Sequence, residues 1–342
     1  MTTTSRSLSD ADSRITSARL RRTIQLCFAL FSIFCGWRFY LYFHWATEQT
    51  GIFTPKPPMV EGFLPISALL GAKHFFTTGQ WDPVHPAGLT IFFAAIGISL
   101  FFRKGFCGYI CPIGYFSGLL ERTGKRLGLN RRRPARPDTT LKKITYALLR
   151  LPKYVIMAGF FWTIGFSMNA QATASFLTSP YNQVADSKML LFFLNPSAIA
   201  LTVLAVLGIA SLFITNPWCR FLCPYGALLG IFSKLSPFAI QRDQSACIKC
   251  AQCSKACPAG IAVDTKIRIS NADCIGCTEC ITACPKQDCL QVTALGRKQF
   301  FWSICYGSVA LLWISYLVAV WSGHWDVAVN ADMVRMFHKS VL

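Results

Sequence analysis

Three stretches of the chain contain no Asp, Glu, Lys or Arg: Tyr154 to Ala185, Met189 to Cys219 and Gln299 to Trp325. About 20 apolar residues suffice to cross a bilayer as a helix, so each run reads as membrane-embedded. A soluble domain of 342 residues has no need of such runs, even at 53% hydrophobic residues with 28 Phe and 9 Trp. Five spans are predicted, at roughly 24–45, 86–102, 152–169, 197–216 and 299–321. The net charge of +19 would fit a nucleic-acid partner, but its distribution fits a membrane instead. With the N-terminus inside, the inner segments hold 26 Lys and Arg and the outer segments 5. That asymmetry is the positive-inside pattern and sets an N-in, C-out orientation. The first apolar run follows a basic, polar tail (1–23) and lacks a small-residue cleavage pattern, so it is expected to stay as an uncleaved span. The tail itself is expected to be disordered, turning helical near SARLRR (17–22), with its arginines at the anionic inner leaflet.

Between the fourth and fifth spans lies the densest chemistry. Residues 247–258 read CIKCAQCSKACP and residues 274–285 read CIGCTECITACP. Each is a C-x2-C-x2-C-x3-C-P run, the spacing of bacterial ferredoxin sites, where three cysteines wrap one 4Fe-4S cluster and the fourth ligates the other. The predicted ligands are Cys247, Cys250, Cys253 and Cys284 for one cluster, and Cys274, Cys277, Cys280 and Cys257 for the second. Zinc sites space their four ligands as two separated pairs, and disulfides need an oxidising compartment, which the cytoplasm is not. Gly276 and the small Ala251 and Ala256 let the backbone come close to a cluster, while Pro258 and Pro285 turn the chain away. Cys289 and Cys305 read as unliganded thiols, and Cys27 and Cys35 as small packing residues of the first span.

An internal repeat precedes this segment. Aligning Cys107 on Cys219 matches Cys111 with Cys223, Pro112 with Pro224, Gly114 with Gly226 and Gly118 with Gly230. Both copies leave a span toward the inside, which suggests a parallel repeat about an axis along the membrane normal. Proline favours the first turn of a helix, so Cys111 and Cys223 are predicted at helix starts, where the partial positive charge favours thiolate. The four thiolates of Cys107, Cys111, Cys219 and Cys223 can hold a further iron–sulfur cluster, act as a redox dithiol or bind copper(I). Structural thiols at a helix start are the alternative. The linker between the copies (125–143) is rich in arginine and proline and reads as a solvated loop near anionic lipid.

All five histidines, His44, His74, His85, His324 and His338, fall on the predicted outer side. In the outer loop 46–85 the stretch VEGFLPISALLGAKHFF is apolar but too short to span, which suggests an interfacial or re-entrant helix. Glu61, His74 and His85 share that loop, and a quinol oxidised there needs a proton acceptor within hydrogen-bond reach. Loop packing is the plainer account of each residue alone. There is no haem-attachment C-x-x-C-H, no phosphate loop and no G-x-G-x-x-G.

With these motifs placed, the sequence resembles the polytopic polyferredoxins that include NapH-type quinol dehydrogenase membrane subunits. The resemblance rests on VEGFLPI, DPVHPA, KGFCGYICPIG, WCRFLCPYGALLG and the double cysteine run. It implies an inner-membrane, multi-pass protein passing electrons between the quinone pool and an unnamed redox partner through two 4Fe-4S clusters. A related branch, the CcoG-like proteins, implies a cupric reductase for oxidase assembly as the alternative. A scaffold with structural clusters is a third reading. Whether the chain is itself an enzyme, as a quinol dehydrogenase subunit, is left open. The expected fold is an α-helical membrane protein of about five transmembrane helices with an inserted α+β ferredoxin-like lobe facing the cytoplasm. Its parts are the tail 1–23, a four-helix membrane part 24–239, the ferredoxin-like lobe 240–292, and a fifth helix with an outer tail 293–342. Its partners are the lipid bilayer, the quinone pool and a redox protein, with no nucleic acid.

Overall fold

Uncharged runs in this chain become helices because a helix pairs its own backbone groups and leaves none to lipid. The computed structural model describes residues 3–129, 140–327 and 331–341, so residues 130–139 of the basic linker lie outside the described residues. Among the described residues three helices are long and apolar enough to cross a membrane: Arg19–Ala46, Ala147–Ser167 and Ser303–Trp321. A fourth span results if Ala185–Leu194 and Ala198–Phe213, bent by 74°, act as one broken element. The remaining predicted span is the apolar helix Pro86–Phe102, whose 17 residues reach only about 25 Å against a hydrocarbon core of about 30 Å. The first helix runs from Thr3 to Ala46, so the tail expected to be disordered is drawn into it. Exposed apolar side chains such as Leu30, Trp162 and Trp313 stud these helices. In water they would form a sticky surface, whereas lipid accepts them.

The described chain forms two compact units. The first comprises Met1–Ala29, Ile96–Val155 and Val206–Leu311, and the second Leu30–Ala95, Ile156–Ala205 and Leu312–Leu342. The first unit carries both C-x3-C-P motifs, the helices that follow them and the cysteine-rich segment. Each copy is built alike. A residue of left-handed backbone, Arg103 (φ 61) or Asn216 (φ 48), breaks the preceding helix. A π-helical turn follows, Phe106–Ile110 or Trp218–Leu222. An extended cysteine, Cys111 or Cys223, then caps a helix whose first residue is proline, Pro112–Arg126 or Pro224–Ser233. Proline fits that place because its fixed φ suits the helix and its missing N–H would have had no intrahelical partner.

The cysteine-rich segment is framed by a four-stranded antiparallel sheet. Its strands are β1 (Phe238–Arg242), β2 (Arg268–Ile269), β3 (Leu290–Ala294) and β4 (Arg297–Lys298), in the order β2-β1-β3-β4. Ile240 pairs with Ile269 on one side and Val292 on the other. Buried Ile240, Ile269 and Val292 therefore share the central rungs of the sheet.

The second unit packs Cys35, Phe39, Tyr42, Trp45, Val60 and Val334 into one apolar cluster. Cys35 is a packing residue there. The stretch VEGFLPISALLGAKHFF forms a short 3-10 turn, Pro58–Phe63, and then a helix, Pro65–Thr78, that stops at Gly79 (φ 75). A left-handed residue at a helix end is most easily supplied by glycine.

Candidate iron–sulfur centres

Four thiols converge in the cysteine-rich lobe. Cys257, from the first run, lines one cavity together with Cys274, Cys277 and Cys280 of the second, and its walls include Ile240, Ile261, Val263 and Ile269. Two left-handed residues shape each loop: Lys249 (φ 57) and Ala251 (φ 55) in the first, Gly276 (φ 64) and Thr278 (φ 56) in the second. A short helix follows each, Gln252–Ala256 and Glu279–Thr282, and carries Cys253 or Cys280 inward. The Sγ of Cys257 accepts the N–H of Ile261 at 3.4 Å. A cuboidal cluster fits this donor set. Burial pushes Cys277 up to about 12 and Cys280 and Cys257 above the ordinary thiol range, so bare thiolates are disfavoured here. Bound iron would remove that penalty by neutralising the sulfur charge, and buried ionised groups need such a partner.

The other set is gathered less tightly. Cys253 and Cys284 are both buried and close enough to interact electrostatically. The Lys249 backbone N–H holds the Cys247 thiol below its ordinary range. Cys250 lies half-exposed in the same loop. Cys289, read from sequence as an unliganded thiol, is buried against Cys247 and Cys284, and donates to the Asp243 carbonyl at 3.6 Å. Sequence spacing gave no hint of it, because it follows the second run by four residues outside the motif. All sixteen cysteines are unbridged.

The two C-x3-C-P motifs also meet. Phe106 of the first packs edge-on against Tyr225 of the second at 6.1 Å. Tyr225 lies within electrostatic reach of Cys107, Cys111 and Cys223, and Cys219 within reach of the other three thiols. The Gly226 N–H donates to Cys223 Sγ at 3.2 Å. The helix-start effect does not win here: burial pushes Cys107 up to about 12 and raises Cys111 and Cys219 as well.

The lobe sits directly on the repeats. Tyr109 donates to the Gly276 carbonyl at 2.8 Å. Gly108 lies so close to the Ile275 carbonyl that a Cβ would collide with it. Arg103, 1% exposed, reaches the carbonyls of Ser233 and Asn271 at 2.8 and 2.5 Å. Arg21 bridges the Gly108 carbonyl and Glu279 at 3.2 and 2.8 Å.

Comparison with known proteins finds 4Fe-4S families over these segments. A model described as a 4Fe-4S dicluster domain matches residues 239–290. One described as a 4Fe-4S binding domain matches residues 84–130 and again 194–242. YccM of Escherichia coli (strain K12), named as an electron transport protein, is 37% identical over 326 residues, covering 92% of this chain and 88% of its own length. The chain belongs to the polyferredoxin family of electron transport proteins. Similarity over shorter stretches extends to the methylamine utilization ferredoxin-type protein MauN of Methylorubrum extorquens, 28% identical over 58% of this chain and 62% of MauN. The ferredoxin-type protein NapH of Escherichia coli is 25% identical over 50% of this chain and 51% of NapH. No solved structure matches.

Residues 46–85 of this polyferredoxin, expected from sequence to form an outer loop, lie in its second unit, as do all five histidines. Glu61 and His85 are brought together: Glu61 Oε1 stands 3.4 Å from His85 Nδ1 and its Oε2 accepts the Gly88 N–H at 3.1 Å. Lys56 bridges Glu61 and Asp186 at 2.8 and 2.7 Å. His85 Nε2 faces the Asn182 carbonyl at 2.8 Å. Glu61, His85, Asn182 and Asp186 are each at most 2% exposed. Burial works against the Glu61 charge, but Lys56 and His85 hold its carboxyl below the usual range. Burial likewise opposes protonating His85, and contact with Glu61 raises it overall. His74 is buried on the helix Pro65–Thr78, and among the described residues no hydrogen bond or ion pair joins it to Glu61 or His85. His338 meets Ser187 at 2.9 Å, His324 stacks near Trp81, and His44 meets Tyr40.

Proposed function

We propose that this polyferredoxin is a membrane electron-transfer subunit that moves single electrons between the quinone pool and a redox partner protein through two [4Fe-4S] clusters. Cys257, Cys274, Cys277 and Cys280 would hold one cluster, and Cys247, Cys250, Cys253 and Cys284 the other. The observation that carries the reading is the cavity in which a cysteine of one run joins three of the other. When bound, each cluster supplies reversible one-electron storage. The chain's own residues do the rest. Backbone N–H groups face the sulfurs, and apolar walls keep water off them, which tunes the potential.

The buried pair Glu61 and His85 supports a quinol on the second unit. Quinol oxidation releases protons, and a carboxylate kept ionised beside an imidazole is a competent acceptor. Lys56 and Asp186 position that acceptor by fixing the Glu61 charge. The distribution of Lys and Arg supports five spans, with the 17-residue helix as one of them, and supports a cytoplasmic lobe in a bacterial inner membrane. The test is anaerobic. A reduced quinol analogue added to the purified chain is expected to bleach the visible cluster absorbance, and Glu61→Gln is expected to slow the bleaching about tenfold or more, within the range of general-base effects. Clusters that ignore quinol while passing electrons to Cu(II) would overturn the reading in favour of metal reduction.

A further inference from the structure

We propose that Cys107, Cys111, Cys219 and Cys223 together hold one additional [4Fe-4S] cluster, each repeat contributing half of the ligands. Each matched 4Fe-4S stretch contains only two cysteines at its C-x3-C-P motif, half of what a cubane needs. The structure supplies the missing half from the other copy. Both copies use the same device, a π-helical turn that sets the first cysteine and an extended cysteine that caps the next helix. The Phe106–Tyr225 contact joins them.

Two features favour a cluster here over other occupants. The first is donor placement: Cys223 Sγ receives the Gly226 N–H, the N–H···S pattern that tunes iron–sulfur centres. The second is charge. Lys104 and Lys153 are 4% and 0% exposed, and with Arg150 they surround a single carboxylate, Asp273. Lys104 also acts on Cys107 and Cys219. A dianionic oxidised cluster balances this excess of buried cations.

The site would lie on the electron path. Gly108, next to Cys107, abuts the Ile275 carbonyl, and Tyr109 bonds the Gly276 carbonyl, so the first motif touches the loop between Cys274 and Cys277. A cluster held by these thiols would give up one electron as its neighbour in the lobe took one up.

The experiment counts iron and acid-labile sulfide in the full chain purified without oxygen. About twelve irons are expected, four per cluster, falling to about eight in Cys107→Ser/Cys111→Ser while the lobe's EPR signals persist. A second variant, Cys223→Ser alone, keeps an oxygen ligand and the fold. It is expected to shift the EPR of one cluster and leave the other two unchanged. About eight irons in the unaltered chain, with no spectral change in Cys223→Ser, would overturn the third cluster and leave the two proposed above standing. Loss of the lobe's own signals in the unaltered chain would instead defeat those two.

Discussion

Gly276 stands where left-handed backbone and close packing coincide. Its φ is 64, and a Cβ would come within 2.8 Å of Ile304 Cγ2. Gly276→Ala is expected to cost about 1–3 kcal/mol through strain and overpacking, with a matching loss of iron from the purified chain. At the equivalent place in the first loop the left-handed residue is Lys249, so Lys249→Gly should leave iron content intact. The Glu61–His85 pair makes a different claim. Its imidazole is raised above its ordinary value of 6.5 and its carboxyl lowered below 4.5. Stability from His85 is therefore fully present below about pH 6.5 and is lost as pH rises through its folded value. Stability from Glu61 is present above about pH 4.5 and is lost as pH falls through its own. Thermal unfolding measured across pH should show both limbs in the parent chain, and Glu61→Gln should remove them.

The repeated hairpins are alike in sequence and unlike in surroundings. Gly118 and Gly230 are equivalent by alignment, yet a Cβ on Gly118 meets nothing within 4 Å while one on Gly230 falls 2.9 Å from the Ala272 carbonyl. Gly118→Ala should therefore be neutral or stabilising by up to about 1 kcal/mol, the helix propensity difference. Gly230→Ala should cost about 1–3 kcal/mol by pushing the lobe off its seat. Differential thermal unfolding of the two variants decides it. Cysteine spacing made the two loops and the lobe legible, because iron–sulfur ligands must sit at fixed intervals. The π-helical turns were not legible, since one extra residue per turn leaves no compositional mark. Nor was the Lys56–Asp186 bridge, whose partners lie far apart in sequence without periodicity. Cys289 escaped for a similar reason, as its neighbours are chosen by the sheet and not by the motif.

At the scale of the whole molecule, electrostatics ties helix to lobe. Lys153, fully buried on the helix Thr140–Trp162, contacts Asp273 at 2.5 Å, and Arg150 reaches the same carboxylate at 3.2 Å. Asp273→Asn strands a buried cation, and removing one partner of such a pair costs about 3–5 kcal/mol. The expected result is a lower unfolding temperature and a lobe more readily cleaved by protease. Pro86–Phe102 and Ala198–Phe213 both stop short, ahead of the left-handed residues and π turns, so the span count is a question of topology and not of helix length. Reporter fusions answer it: activity of an externally working reporter is expected after residue 190 and absent after residue 295. The shared cavity has one more implication. Under the proposed ligand sets Cys257 belongs to the loop of its neighbour, and neither half of the lobe would own a full set of anchors. Assembly in the cell would then be an all-or-none event, with half-filled chains scarce, and damage that strips one cubane would unseat its twin soon afterwards.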